Sequence, residues 1–84
     1  MVVPTVHRFG SLRVVIYPND HRPAHVHVVG SGHEAVFLLR CTSARAELRE
    51  NYGFPGREVR RIIAELERRI AELCAAWERI HGSD

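Results

Sequence analysis

The hydrophobic period of this chain changes once, near residue 53, and that single change decides what it can fold into. Before it, apolar residues alternate with polar ones in short runs, the pattern of half-buried strands. After it, Val59, Ile62, Ile63, Leu66, Ile70, Leu73, Cys74, Trp77 and Ile80 recur at helical spacing and form one continuous apolar face. Arg and Glu fill the other face, with opposite charges spaced for contact at Glu58–Arg61, Glu65–Arg68 and Glu65–Arg69. Pro55 suits a first helical turn and Gly82 a stop, so the spacing predicts one helix over residues 55–81.

The first half divides at its turn residues. A short strand over Thr5–Phe9 ends at Gly10-Ser11, and Leu12–Tyr17 is dense in β-branched residues. Pro18-Asn19-Asp20-His21-Arg22-Pro23 breaks the chain with two prolines around an Asn-Asp pair. Ala24–Val29 alternates cleanly, Gly30-Ser31-Gly32 closes it, and a fourth strand runs over about His33–Leu39. Arg40–Arg45 is irregular, and Ala46–Arg49 could add a short edge strand. Asn51-Tyr52-Gly53-Phe54 reads as a turn in which Gly53 takes a positive φ and Phe54 packs under Val59 or Ile62. Connections this short exclude crossover helices, so the strands should form an antiparallel meander over about residues 5–49. The expected fold is a single α+β domain spanning residues 1–84, a small antiparallel sheet of three to five strands packed on one long C-terminal helix.

Size limits such a domain. With 84 residues it buries only about 60–65% of its unfolded surface, and cores this small usually draw on a disulfide, a metal or a partner. A helix of that length would reach about 40 Å, whereas a six-residue strand spans about 20 Å. Leu73, Trp77 and Ile80 should therefore project beyond the sheet, and Val15, Tyr17, Val36 and Leu38 should line its uncovered side. Two surplus apolar surfaces point to a second copy or another protein as partner.

Composition excludes several classes. Hydrophobic residues at 45% with 26% charged is globular, and no apolar run approaches the roughly 20 residues of a membrane helix. The start, Met1-Val2-Val3-Pro4-Thr5, lacks the regions of a secretory signal, so a cytoplasmic protein is expected. In that compartment Cys41 and Cys74, far apart and without metal-finger spacing, should stay reduced, with Cys74 a buried small hydrophobe. All twelve basic residues are arginine, and the net charge of +2 permits contact with RNA without requiring it. The chain contains no phosphate loop, nucleophile elbow or dinucleotide fingerprint.

Chemistry concentrates in one segment. Three of six histidines fall within His21-Arg22-Pro23-Ala24-His25-Val26-His27. On a strand, His25 and His27 share a face about 7 Å apart, and His21 could curl back across the turn beside the carboxylate of Asp20. Such a group suits three roles. His21, His25 and His27 could hold a divalent transition metal such as Zn²⁺, Ni²⁺ or Cu²⁺. The same three could act as catalytic acid and base at a phosphodiester, with Arg13 and Arg22 on phosphate and Tyr17 at the substrate. Arginines and Tyr17 could also bind RNA without chemistry. Against all three stands a structural role, in which the imidazoles cap the turn and bond to backbone. His7 and His33 are isolated strand-end residues, and His81 sits favourably at a helix C-terminus.

Asp20-His21-Arg22-Pro23-Ala24-His25-Val26-His27 resembles the core motif of the bacterial and archaeal domain-of-unknown-function family 4160. Pro4-Thr5-Val6, Arg8-Phe9-Gly10, Arg13–Tyr17, Glu50–Phe54 and Trp77–Gly82 extend the resemblance over nearly the whole chain. Ala24 departs from it, standing where the family commonly has a second proline. The resemblance implies a prokaryotic, toxin-like component of a two-gene toxin–antitoxin system, paired with a small antitoxin-like protein of another uncharacterised family. It leaves open whether the histidines form a ribonuclease-type site or serve a non-enzymatic interaction or metal-binding module.

Overall fold

The computed structural model describes residues 4–82. Five strands form one antiparallel meander in the order β1-β2-β3-β4-β5. They are β1 (Thr5–Phe9), β2 (Leu12–Val15), β3 (His25–Gly30), β4 (His33–Arg40) and β5 (Arg45–Tyr52). Each sequence-predicted strand is present, although β2 stops two residues earlier and β5 is twice as long as expected. Arg49 is the extra residue of a bulge on β5, where Val36 pairs with Glu50 and Phe37 with Leu48. Gly53 takes a φ of 112° in the turn after β5, and Phe54 is buried in the core beyond it.

Alternation sorts the strands into two faces. Leu12, Val14, Ile16, Val26, Val28, Ala35, Phe37, Leu39 and Ala46 pack with Val59, Ile62 and Leu66 of the first helix into the core. Val15, His27 and Val36 lie side by side on the opposite face, directly paired across β2, β3 and β4.

The helical half departs from expectation at one residue. Residues 56–81 form two helices, α1 (Gly56–Arg68) and α2 (Ile70–His81), broken at Arg69, whose φ of −111° and ψ of 18° leave the helical region. The Arg69 amide donates to the carbonyls of both Glu65 and Leu66, tightening the last turn of α1. The bend corrects the expected 40 Å rod: it turns α2 back over the sheet, and Leu73 and Trp77, expected to project, are each 1% exposed. The uncovered side is also smaller than expected, with Val15 at 1% and Val36 at 6% exposure. Tyr17 and Leu38 on that side, and Ile80 on α2, keep part of their surface exposed.

The same bend overturns the expectation of two reduced cysteines. Cys41, in the turn after β4, is disulfide-bonded to Cys74 of α2, with Cα atoms 6.1 Å apart. Spacing along the chain held no hint of this, because the break at Arg69 is what carries α2 to that turn. In the chain-entropy view, a cross-link over 33 residues stabilises by about 3–4 kcal/mol, a large share of the margin of so small a domain.

Candidate metal centre

The connection from Tyr17 to Ala24 folds back so that one carboxylate oxygen meets both strand histidines. Asp20 Oδ2 lies 3.3 Å from His25 Nε2 and 3.2 Å from His27 Nε2. The same oxygen accepts the Tyr17 amide at 3.1 Å, and the Asp20 amide donates to the Tyr17 carbonyl, so the turn closes on itself. The imidazoles are edge-on to each other at 5.3 Å, and Tyr17 lies edge-on to His27 at 4.6 Å. The group is largely withdrawn from water: the side chains of His25, His27 and Asp20 are 8%, 15% and 16% exposed.

The other ring nitrogens are occupied as well. His25 Nδ1 donates to the Pro23 carbonyl at 3.0 Å, and His27 Nδ1 to Glu34 Oε2 at 3.2 Å. Each imidazole is therefore faced by oxygen on both sides. A neutral ring with its hydrogen on Nδ1 offers only a lone pair at Nε2. That lone pair would point at a carboxylate oxygen, which is also an acceptor. Two arrangements resolve the conflict: each ring carries a second proton, or a cation stands between the three atoms. Fixing Nδ1–H on a carbonyl or carboxylate, leaving Nε2 for a metal, is the usual support of a histidine ligand. Metal bonds of about 2.0–2.2 Å in a tetrahedral site place adjacent ligand atoms roughly 3.3–3.6 Å apart, close to the two spacings from Asp20 Oδ2 to the histidines. All three ligand atoms lie within 4.8 Å of one another.

Of the residues singled out from sequence, His25, His27 and Tyr17 meet at this site, with Asp20 as their common partner. His21 is exposed and stands outside the group. Arg22 reaches the end of α2 instead, donating to the Gly82 carbonyl at 2.8 Å and lying 3.9 Å from Glu78. Arg13 is exposed on β2, two residues before Val15. Sequence reasoning missed Glu34, Trp77 and His81. Glu34 pairs with Val29 and falls diagonal to His27, a position that folding the hairpin about Ser31 would have shown. Trp77 lies 5.3 Å from the His25 ring and stacks on His81 at 4.0 Å. His81 Nε2 donates to the Tyr17 carbonyl at 3.2 Å.

Fold and site together define a small α+β protein, a five-stranded meander under a bent helix pair, with a histidine–aspartate cluster at one end of the sheet. The chain belongs to the family described as domain of unknown function (DUF4160), whose model matches residues 12–78. Comparison with curated proteins and with solved structures gives no match.

Proposed function

We propose that this protein binds a divalent transition metal through Asp20, His25 and His27. The observation that carries the reading is the convergence of Asp20 Oδ2 and the two Nε2 atoms, with each Nδ1 set against a further oxygen, of Pro23 and of Glu34. Two imidazoles and one carboxylate suit Zn²⁺, Ni²⁺, Cu²⁺ or Fe²⁺ and leave coordination positions for further ligands. In this reading Asp20, not His21, is the third ligand.

A toxin-like role in a two-gene system, acting on RNA through the same histidines, is the finer reading that the family resemblance brings. Burial weighs against direct chemistry on a polymer, since a phosphodiester would have to reach His25 through the turn that covers it. The metal reading needs no such access.

Untagged protein stripped with a chelator tests it. A tightly bound ligand at about 100 times its dissociation constant stabilises by about 2.7 kcal/mol, worth more than about 10 °C in a domain of this size. Zn²⁺ or Ni²⁺ is expected to raise the melting temperature by that amount in the wild type and not in His25→Ala/His27→Ala. The absence of stoichiometric metal and of any shift in the wild type would refute the reading.

A further inference from the structure

Helix α2 joins the disulfide to the metal ligands. Cys74, Trp77 and His81 follow one another along one stripe of the helix, at i, i+3 and i+7. Cys74 is bonded to Cys41 in the turn after β4. Trp77 is buried against the His25 ring, and His81 holds the carbonyl of Tyr17, whose amide binds Asp20. At the same end of the helix, Gly82 and Glu78 receive Arg22. The whole connection that delivers Asp20 is thus held from the C-terminal half of α2. That half is covalently anchored to the sheet only through Cys74. At its other end α2 begins at the irregular Arg69.

We propose that the Cys41–Cys74 disulfide sets the affinity of the Asp20/His25/His27 site for its metal, tight when oxidised and weak when reduced. This rests on the metal reading of the same cluster. Cys41 is exposed and Cys74 half-buried, so a dithiol reductant attacks at Cys41. Its thiolate bonds to the Cys41 sulfur, the Cys41–Cys74 bond breaks, and the electron pair leaves with the Cys74 sulfur, which takes a proton. The reductant's second thiolate then displaces Cys41 as a thiol. The protein gains two electrons and two protons, and the reductant leaves as a disulfide. With the cross-link gone, α2 is held by the core packing of Leu73, Ala76 and Trp77 and by its hydrogen bonds alone, so that small shifts of Trp77 against His25 and of His81 against Tyr17 loosen the turn that presents Asp20. Linkage makes the effect reciprocal: bound metal must favour the disulfide by the same factor that the disulfide favours metal.

Zn²⁺ affinity of the full untagged chain, measured by competition with a chromophoric chelator, tests this. The comparison is oxidised wild type against Cys41→Ser/Cys74→Ser, which removes the cross-link without adding thiol ligands. Losing outer support of a metal ligand costs about 10–100-fold in affinity, and a loss of roughly tenfold or more is expected here. Equal affinity in the folded serine variant would overturn the coupling and leave the metal site standing. No Zn²⁺ binding by oxidised wild type would overturn the metal reading and this proposal with it. Should the serine variant fail to fold, the thiol–disulfide equilibrium of the wild type in a dithiol buffer decides. Buffered free Zn²⁺ is expected to shift it towards the disulfide relative to Asp20→Asn, which keeps both cysteines; no such difference would refute the proposal.

Discussion

Two histidine–carboxylate contacts in this molecule use the same residue types to opposite ends. Between β1 and α1, His7 Nε2 lies 2.8 Å from Glu65 Oε2, and Arg68 and Arg69 approach the same carboxylate at 3.2 and 3.6 Å. Donors outnumber acceptors there, enough to leave the buried Arg69 Nε without a hydrogen bond, and the group ties the first strand to the helix. At Asp20, His25 and His27 the balance is reversed: oxygens face every ring nitrogen, and the contacts of Asp20 Oδ2 among the described residues are the two rings and the Tyr17 amide. A histidine beside a carboxylate is therefore uninformative by itself. The count of donors against acceptors separates a structural pair from a site that calls for a proton or a metal.

Asp20→Asn breaks this comparison most directly. An amide can donate where the carboxylate could only accept, which satisfies a ring nitrogen without any cation. Outer-shell partners alone are worth about 10–100-fold in affinity, and loss of a direct ligand more. Chelator competition should show Zn²⁺ affinity falling by roughly 100-fold or more, with the metal-free melting temperature held or raised. Glu34→Gln, which weakens the support of His27 Nδ1 only, should cost about tenfold in the same assay.

Glu65→Gln sharpens the other side. It should leave metal affinity unchanged and lower stability by about 1 kcal/mol, read from urea midpoints. Its pH dependence follows from two carboxyls. The hydrogen bond from His7, helped by the charges of Arg68 and Arg69, holds Glu65 below its ordinary value of 4.5 against the opposing effect of burial. Glu67 is lowered by the hydrogen bond from the Ala46 amide and by Arg45. Both bind protons less readily folded than unfolded, so their contribution is fully present above about pH 4.5 and lost as pH falls through the depressed folded values. Wild-type stability should decline below that pH, and the decline should be shallower in Glu65→Gln.

Much of the fold was legible because it rests on local signals. Gly10-Ser11, Gly30-Ser31-Gly32 and Gly53 punctuate the strands where the structure turns, and Gly82 ends α2 with a φ of 78°. The ion pairs Glu58–Arg61, Glu65–Arg68 and Glu65–Arg69 all form. What escaped was tertiary in origin. Arg69 is neither glycine nor proline, so nothing in the helical pattern announces the break there, and without it the disulfide is invisible. The length of β5 was hidden because, of its eight residues, only Ala46 is buried, leaving no alternation to read. Of the site, the heptapeptide exposed His25 and His27. Glu34 depended on hairpin register, and the choice of Asp20 over His21 depended on how the turn closes.

Calorimetric titration of Zn²⁺ into oxidised, chelator-stripped, untagged wild-type protein tests the central claim in one step. Saturable binding of one equivalent, lost in His25→Ala/His27→Ala while both proteins keep the same circular dichroism, is the expected result. No saturable binding by the wild type, or binding undiminished in the double variant, would contradict it.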